Sequence, residues 1–223
     1  MTGTTMRGGA GRLSTLGVLA LVSGLAFAPG WAVGQTGGLA GQGAAAVVNT
    51  TTGTQQFAVA ALPSSGGMVD SEQASVAVPS TLSASGLASI ATGQVDQTLV
   101  SATTTAEAAN VTILDGLITA DAVLAVATSY ANGFAATSES DGSTLLGLVV
   151  NGVRYGDVSP APNTQLTVPG VGYVVFNEQI VNGDGVHTAA LTVNMIHVYL
   201  TDPVLGTPTG DIVVGAATSS ARL

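Results

Sequence analysis

Residues 145–215 read LLGLVVNGVRYGDVSPAPNTQLTVPGVGYVVFNEQIVNGDGVHTAALTVNMIHVYLTDPVLGTPTGDIVVG, and this stretch decides the fold class. Short apolar runs alternate in it with turn residues, beginning with Leu145–Val150 and the Asn151-Gly152 pair. A second run is closed by Pro169-Gly170, and a long hairpin and a last strand follow. Asn-Gly and Pro-Gly pairs are typical of tight turns between strands. The pattern therefore predicts an all-β fold.

The hairpin permits a prediction of register. Strands at Gly172–Val181 and Val186–Leu200 flank the loop Asn182-Gly183-Asp184-Gly185, whose residues tolerate positive φ. A symmetric loop predicts these pairs on one apolar face: Phe176 opposite Leu191, Val174 opposite Val193, and Glu178 opposite Ala189. The same register predicts that Tyr173 lies on the polar face.

The preceding chain also favours strands. Val, Thr and Ala dominate four segments, with apolar residues often two positions apart: Gln55–Ala61, Val76–Val78, Thr98–Ala106 and Val111–Val126. In the last segment Asp115-Gly116 predicts a bulge or bend, after which one face carries Ile118, Ala120, Ala122, Leu124 and Val126. A helix over Ala106–Tyr130 is the alternative, because Ala, Leu and Glu favour helices. We expect an antiparallel β-sandwich-like single domain, with a parallel β-helix or solenoid as the alternative.

Composition excludes several classes of function. The chain has 223 residues, only 8% of them charged, with four Arg and Lys together and a net charge of -9. This lack of cations argues against nucleic-acid partners and anionic membranes. There is no cysteine, so stability must come from packing.

The N-terminus is typical of an export signal. Arg7 and Arg12 precede the apolar run Leu13–Phe27, which is short for a membrane span. We therefore predict a secretory signal peptide over residues 1–32 and a β domain over residues 33–223. Cleavage is expected after Ala32, with Ala28 as the other site, and an uncleaved anchoring helix is the alternative.

Four segments resemble the choice-of-anchor P domain of bacterial surface proteins, and Asp211–Ala217 (DIVVGAA) resembles its closing strand. The segments are Asn110–Val123 (NVTILDGLITADAV), Leu148–Val153 (LVVNGV), Ala161–Gln179 (APNTQLTVPGVGYVVFNEQ) and Leu191–Leu200 (LTVNMIHVYL). The resemblance implies an exported protein and no established catalytic residue. Residues 216–223 carry no sorting motif, apolar tail or basic stop, which departs from the family pattern.

These observations predict a noncatalytic structural or interaction protein of the bacterial cell exterior, secreted or held noncovalently at the surface. Its partner would be an envelope or extracellular component, with no membrane span in the mature chain and self-association through sheet edges left open. A carbohydrate- or small-ligand-binding module on the same scaffold is the alternative. We single out Tyr155, Tyr173 and Glu178 for ligand contact.

No catalytic constellation or metal site is evident in the sequence, and we expect no cofactor. His187 and His197 are the only histidines, and on one continuous strand they would lie roughly 33 Å apart. We expect His197 beside Met195 at a core edge, bonded to backbone, and His187 in solvent. Neither histidine has an evident acid partner, so a hydrolase is not expected. Residues 182–185 and the Glu139/Asp141 pair could bind calcium but are better explained as turns.

Overall fold

The computed structural model describes residues 37–223, which form thirteen β-strands. The strands are β1 Gly38–Thr50, β2 Gly53–Ala61, β3 Gly67–Val78, β4 Leu82–Val95, β5 Val100–Ile113, β6 Ile118–Ala131, β7 Ala136–Glu139, β8 Thr144–Val150, β9 Val153–Val158, β10 Thr164–Val168, β11 Gly172–Gly183, β12 Thr188–Thr201 and β13 Pro208–Arg222. The predicted signal peptide lies outside the described residues. Among residues 37–223, no α-helix has the length and hydropathy of a membrane-spanning segment.

The strands form two antiparallel sheets. The first sheet has the order β10-β11-β12-β13-β1-β2, and the second has β3-β4-β5-β6-β8-β9, with β7 paired to β6. One core cluster draws large side chains from both sheets, including Leu82, Ile113, Phe176 and Ile196. The all-β prediction is confirmed. Every described pairing is antiparallel, which does not fit the parallel β-helix alternative.

Most predicted turns are found where the sequence placed them. Asn151 and Gly152 both have positive φ and join β8 to β9, while β10 ends at Val168 before Pro169-Gly170. The bend predicted at Gly116 is instead a complete reverse turn, because Leu114 and Asp115 also adopt positive φ. The run Val111–Val126 is therefore split between two antiparallel strands, β5 and β6, and the helical alternative is wrong.

The predicted hairpin register is wrong. Phe176 pairs with Ile196, Val174 with Val198, and Glu178 with Asn194. The cause is the turn, which occupies residues 184–187 rather than 182–185. Asp184 Oδ1 accepts hydrogen bonds from the backbone of Val186, His187 and Thr188, and so moves the reversal toward the C-terminus.

A line of irregular positions crosses five of the six strands of the first sheet. Regular pairing is interrupted at one position in each of five neighbouring strands: Ala58, Ala45, Gly215, Met195 and Asn177. Three of these adopt the left-handed conformation, namely Ala58 (φ 49), Gly215 (φ 69) and Asn177 (φ 50). We call this line the kink row.

The kink row reverses which residues face the core. On β12, the adjacent residues Met195 and Ile196 are both fully buried in the main core, which a regular strand does not allow. On β11, Phe176 faces the core, but Glu178, two residues further, contacts side chains on the opposite face. The kink therefore carries Glu178 out of the face that simple alternation predicts.

The second sheet bends in the same way. Gly86, Asn110 and Gly147 adopt positive φ on β4, β5 and β8. On β6 the buried positions change from even to odd numbers across this bend, from Ile118 and Ala120 to Val123, Ala125 and Ala127. The predicted face of Ala122, Leu124 and Val126 is wrong for this reason.

Candidate functional site

Ionisable and aromatic side chains gather on the outward face of the first sheet. Glu178 lies on β11, His197 and Tyr199 on β12, and Asp211 on β13. His197 pairs with Val213 on one neighbouring strand and Val175 on the other, and both valines are buried. Strand pairing thus brings together four reactive side chains that lie up to 33 positions apart in sequence. We call these four residues, with Asn194, the outer-face cluster.

Glu178 is the centre of this cluster. Its Oε2 accepts a hydrogen bond from Asn194 Nδ2 at 2.7 Å and lies 2.7 Å from His197 Nδ1. Its Oε1 accepts a hydrogen bond from the Tyr199 hydroxyl. Both carboxylate oxygens are therefore occupied by partners from the neighbouring strand.

The network continues across the sheet through His197. Its Nε2 lies 3.3 Å from Asp211 Oδ2, which also accepts a hydrogen bond from Asn49 Nδ2 at 2.9 Å. Asn49 Oδ1 in turn accepts from the Thr54 hydroxyl at 2.6 Å. One continuous chain of contacts thus joins β11 to β2.

Charge pairing sets the protonation states. Burial alone would raise the pKa of Glu178, but hydrogen bonds from His197, Tyr199 and Asn194 outweigh it and lower that pKa to about 2. Burial alone would lower the pKa of His197, but hydrogen bonds to Asp211 and Glu178, with their negative charges, raise it above its ordinary value. Burial and the bond to Glu178 raise the pKa of Tyr199. The network therefore favours an imidazolium between two carboxylates.

Three rings stand side by side on this face. The centroids of Tyr173 and Tyr199 are 4.6 Å apart with an interplanar angle of 16°, and those of His197 and Tyr199 are 3.9 Å apart. Tyr199 is consequently covered on both ring faces. Tyr173, the outermost ring of this stack, is half-buried.

The structure differs from several predictions about these residues. His197 does not bond to backbone beside Met195. Its nitrogens contact two carboxylates, while Met195 faces the core. Glu178 does not share the face of Val174 and Phe176, because the kink at Asn177 turns it outward. The expectation that neither histidine has an acid partner is wrong, since the corrected register places Glu178 next to His197.

Of the other two residues predicted to contact a ligand, one stacks on the cluster and one lies apart from it. Tyr173 lies on the outward face as predicted and joins the ring stack, whereas Tyr155 lies on β9 of the second sheet and is 46% exposed. Asn49, Asn194, Tyr199 and Asp211 were not singled out from the sequence. An isolated glycine within a strand pattern, such as Gly215, was the available signal that alternation fails in this sheet.

The second histidine belongs to the β11–β12 turn. His187 Nδ1 lies 3.5 Å from Asp184 Oδ2, and His187 is exposed as predicted. A pocket of about 300 Å³ lies beside this turn, lined in part by Asp184, His187, Thr188 and Arg222. Asp184 Oδ1 is engaged by three backbone N–H groups, so this carboxylate organises the turn. Across residues 37–223, no group of three or more His, Asp or Glu side chains is arranged to hold a metal ion.

Comparisons with known proteins add little to this picture. No protein-family profile and no curated protein matches the chain. Among solved structures, the chain is similar to Neisserial surface protein A at 8% identity and a TM-score of 0.18, over 85% of this chain and 98% of that one.

Proposed function

We propose that this protein is a noncatalytic structural or interaction domain of the bacterial cell exterior, built as a two-layer β-sandwich. The observation that carries the proposal is that Glu178 and His197, at the centre of the outer-face cluster, have no hydrogen-bonding position left for a substrate. Both oxygens of Glu178 and both nitrogens of His197 are engaged by other side chains. A general base or nucleophile needs a free lone pair directed at substrate, and this arrangement commits the oxygens of Glu178 and the nitrogens of His197 to partners within the cluster.

Sequence features support an exterior location. The basic start, the apolar run Leu13–Phe27 and the small residues at Ala28 and Ala32 fit an export signal. The resemblance to the choice-of-anchor P domain also supports an exterior location. A scarcity of cations fits neither a nucleic-acid partner nor an anionic lipid surface.

Fractionation of the native host tests this proposal. The chain is expected in the culture fluid or envelope fraction, with an intact mass that lacks residues 1–32 or 1–28. An unprocessed chain confined to the cytosol would refute the exterior location. Turnover of a chromogenic ester or glycoside that is lost in Glu178→Gln would refute the noncatalytic role.

A second candidate function is ligand binding, favoured by the Tyr173–Tyr199–His197 stack. Aromatic side chains that are partly exposed beside carboxylate and amide groups suit recognition of polar, ring-shaped ligands. Because Tyr199 is covered on both faces, Tyr173 is the ring in this stack that can receive a ligand face.

A further inference from the structure

We infer that a row of six side chains across the first sheet binds an extended, neutral, β-1,4-linked glycan chain. This inference rests on the second candidate function, the ligand-binding one, and names its ligand class. Strand pairing connects the row without a gap: Thr167, Tyr173, Tyr199, Asp211, Asn49 and Thr54. We call it the cross-strand row.

The length of the cross-strand row fits an extended polymer better than a single small molecule. Six strands separated by about 4.8 Å place its two ends about 24 Å apart. A sugar ring is about as long as the spacing between neighbouring strands. Glycans with β-1,4 links between their rings are flat and extended, so such a chain laid perpendicular to the strands would place successive rings over successive members of the row.

The chemistry of the row matches polyhydroxylated ligands. Asp211 uses only Oδ2 in its hydrogen bonds within residues 37–223, so Oδ1 can accept from a sugar hydroxyl. In that part of the chain, no hydrogen bond engages the hydroxyl groups of Tyr173 and Thr167. Thr167 and Thr54, at the two ends of the row, are exposed, and the four members between them are partly exposed.

The aromatic stack makes the two ends of the row different, because the stacked rings lie near one end. Tyr199 covers one face of Tyr173, and the strand on the other side is the edge strand β10, where Thr167 is its partner. A terminal sugar would stack on the face of Tyr173 directed toward Thr167. The following sugars would cross the edge of Tyr199 and reach Asp211 and Asn49.

The internal hydrogen bonds make the row rigid before any ligand arrives. Glu178 fixes the Tyr199 hydroxyl, and His197 and Asn49 fix Asp211 Oδ2. Side chains already held in place lose little conformational freedom on binding. Glu178 and His197 thus support the row without belonging to it, and they are positioning residues.

Calorimetry with the protein purified from its host tests the inference, with cellohexaose and chitohexaose as probes. We expect one hexasaccharide to bind about tenfold or more tightly than its disaccharide, because only the longer chain spans the row. Tyr173→Ala is expected to weaken binding by about tenfold through loss of the stacking face. Tyr155→Ala, which removes an exposed tyrosine from the other sheet, is the matched control and should leave binding unchanged.

Equal affinity for disaccharide and hexasaccharide would overturn the extended row, as would an equal loss in the Tyr155→Ala control. Absence of binding by a folded, exported protein would also overturn it, while leaving the exterior, noncatalytic proposal intact. Cleavage of the bound hexasaccharide would instead refute the noncatalytic proposal and keep the row. Tyr173→Phe preserves the ring and removes only the hydroxyl group. We expect its thermal unfolding to be unchanged and its loss of affinity to be smaller than that of Tyr173→Ala, which would show that the affinity changes do not come from unfolding.

Discussion

The protein contains two histidine–carboxylate pairs whose surroundings differ. In the β11–β12 turn, His187 and Asp184 are 3.5 Å apart, and their side chains are 63% and 52% exposed. On the sheet, His197 and Glu178 are 2.7 Å apart and only 12% and 14% exposed. The exposed pair is screened by water and contributes little. The mostly buried pair must be satisfied, because removing one partner leaves a poorly solvated charge.

The two carboxylates also hold different parts of the chain. Backbone N–H groups of Val186, Thr188 and His187 lower the pKa of Asp184, so this acid acts on the turn that contains it. Glu178 instead binds three side chains of the neighbouring strand. The same residue types therefore serve local chain reversal in one region and the joining of strands in the other.

The largest effect should come from removing the central acid. Glu178→Ala leaves His197, Tyr199 and Asn194 without their acceptor and should lower the free energy of unfolding by about 3 kcal/mol, measured by urea denaturation. Glu178→Gln keeps one acceptor oxygen and should lower the free energy of unfolding by less. If the alanine variant lost less than about 1 kcal/mol, the cluster would be no more important than a surface pair.

The next largest effect should be the coupling between partners. A double-mutant cycle on Glu178 and His197, with alanine at each position, should give a coupling free energy of about 2 kcal/mol. The same cycle on Asp184 and His187 should give no measurable coupling. Similar coupling in the two cycles would contradict the distinction between the regions.

A smaller effect should appear in the pH dependence of stability. The lowered pKa of Glu178 stabilises the fold above its unfolded value of 4.5, and this contribution is lost as pH falls from 4.5 toward about 2. The raised pKa of His197 stabilises the fold fully below its unfolded value of 6.5, and this contribution is lost as pH rises through the folded value. The contribution of the pair is therefore greatest between pH 4.5 and 6.5.

Thermal unfolding of wild type and His197→Gln across this range measures that dependence. The decline above pH 6.5 should be weaker in the variant, since the glutamine does not titrate. An identical decline in both proteins would show that other groups are responsible.

The smallest effect should come from the exposed histidine. His187→Ala should change the free energy of unfolding by no more than about 0.5 kcal/mol, because the turn is held by Asp184 and the backbone. Chemical denaturation of His187→Ala and His197→Ala under the same conditions compares the two losses in the free energy of unfolding. A loss as large as that of His197→Ala would show that His187 also supports the turn.

Strand placement and most turns were predictable from local chemistry. Asn151-Gly152 and Pro169-Gly170 specify reversals through their own backbone preferences, and alternating Val, Thr and Ala predict strands. The hairpin register was not predictable by symmetry, because Asp184 selects the turn through side-chain bonds to residues 186–188.

The outer-face cluster could not be predicted from the sequence pattern, for a related reason. Regular alternation would place Glu178 on the same face of the sheet as Phe176. The left-handed residue between them puts Glu178 on the opposite face. Besides Gly215, Asn177 was a visible signal, because asparagine tolerates this conformation better than most residues. Which of the strand asparagines and glycines adopt it depends on pairing across five strands, and that information is not local.

The kink row also governs how this sheet can meet other chains. At one border, Asn163 (φ 61) donates from its backbone to the Asn177 carbonyl, and β10 pairs with β11 only as far as Phe176. At the other border, Ala58 holds a left-handed conformation that costs an ordinary residue roughly 1–2 kcal/mol. Ala45 and Met195 keep ordinary φ beside left-handed neighbours, so an incoming strand would need an interruption of its regular pairing in step with this bend to continue the ladder. A segment that paired regularly along its whole length would not match the bend at either border.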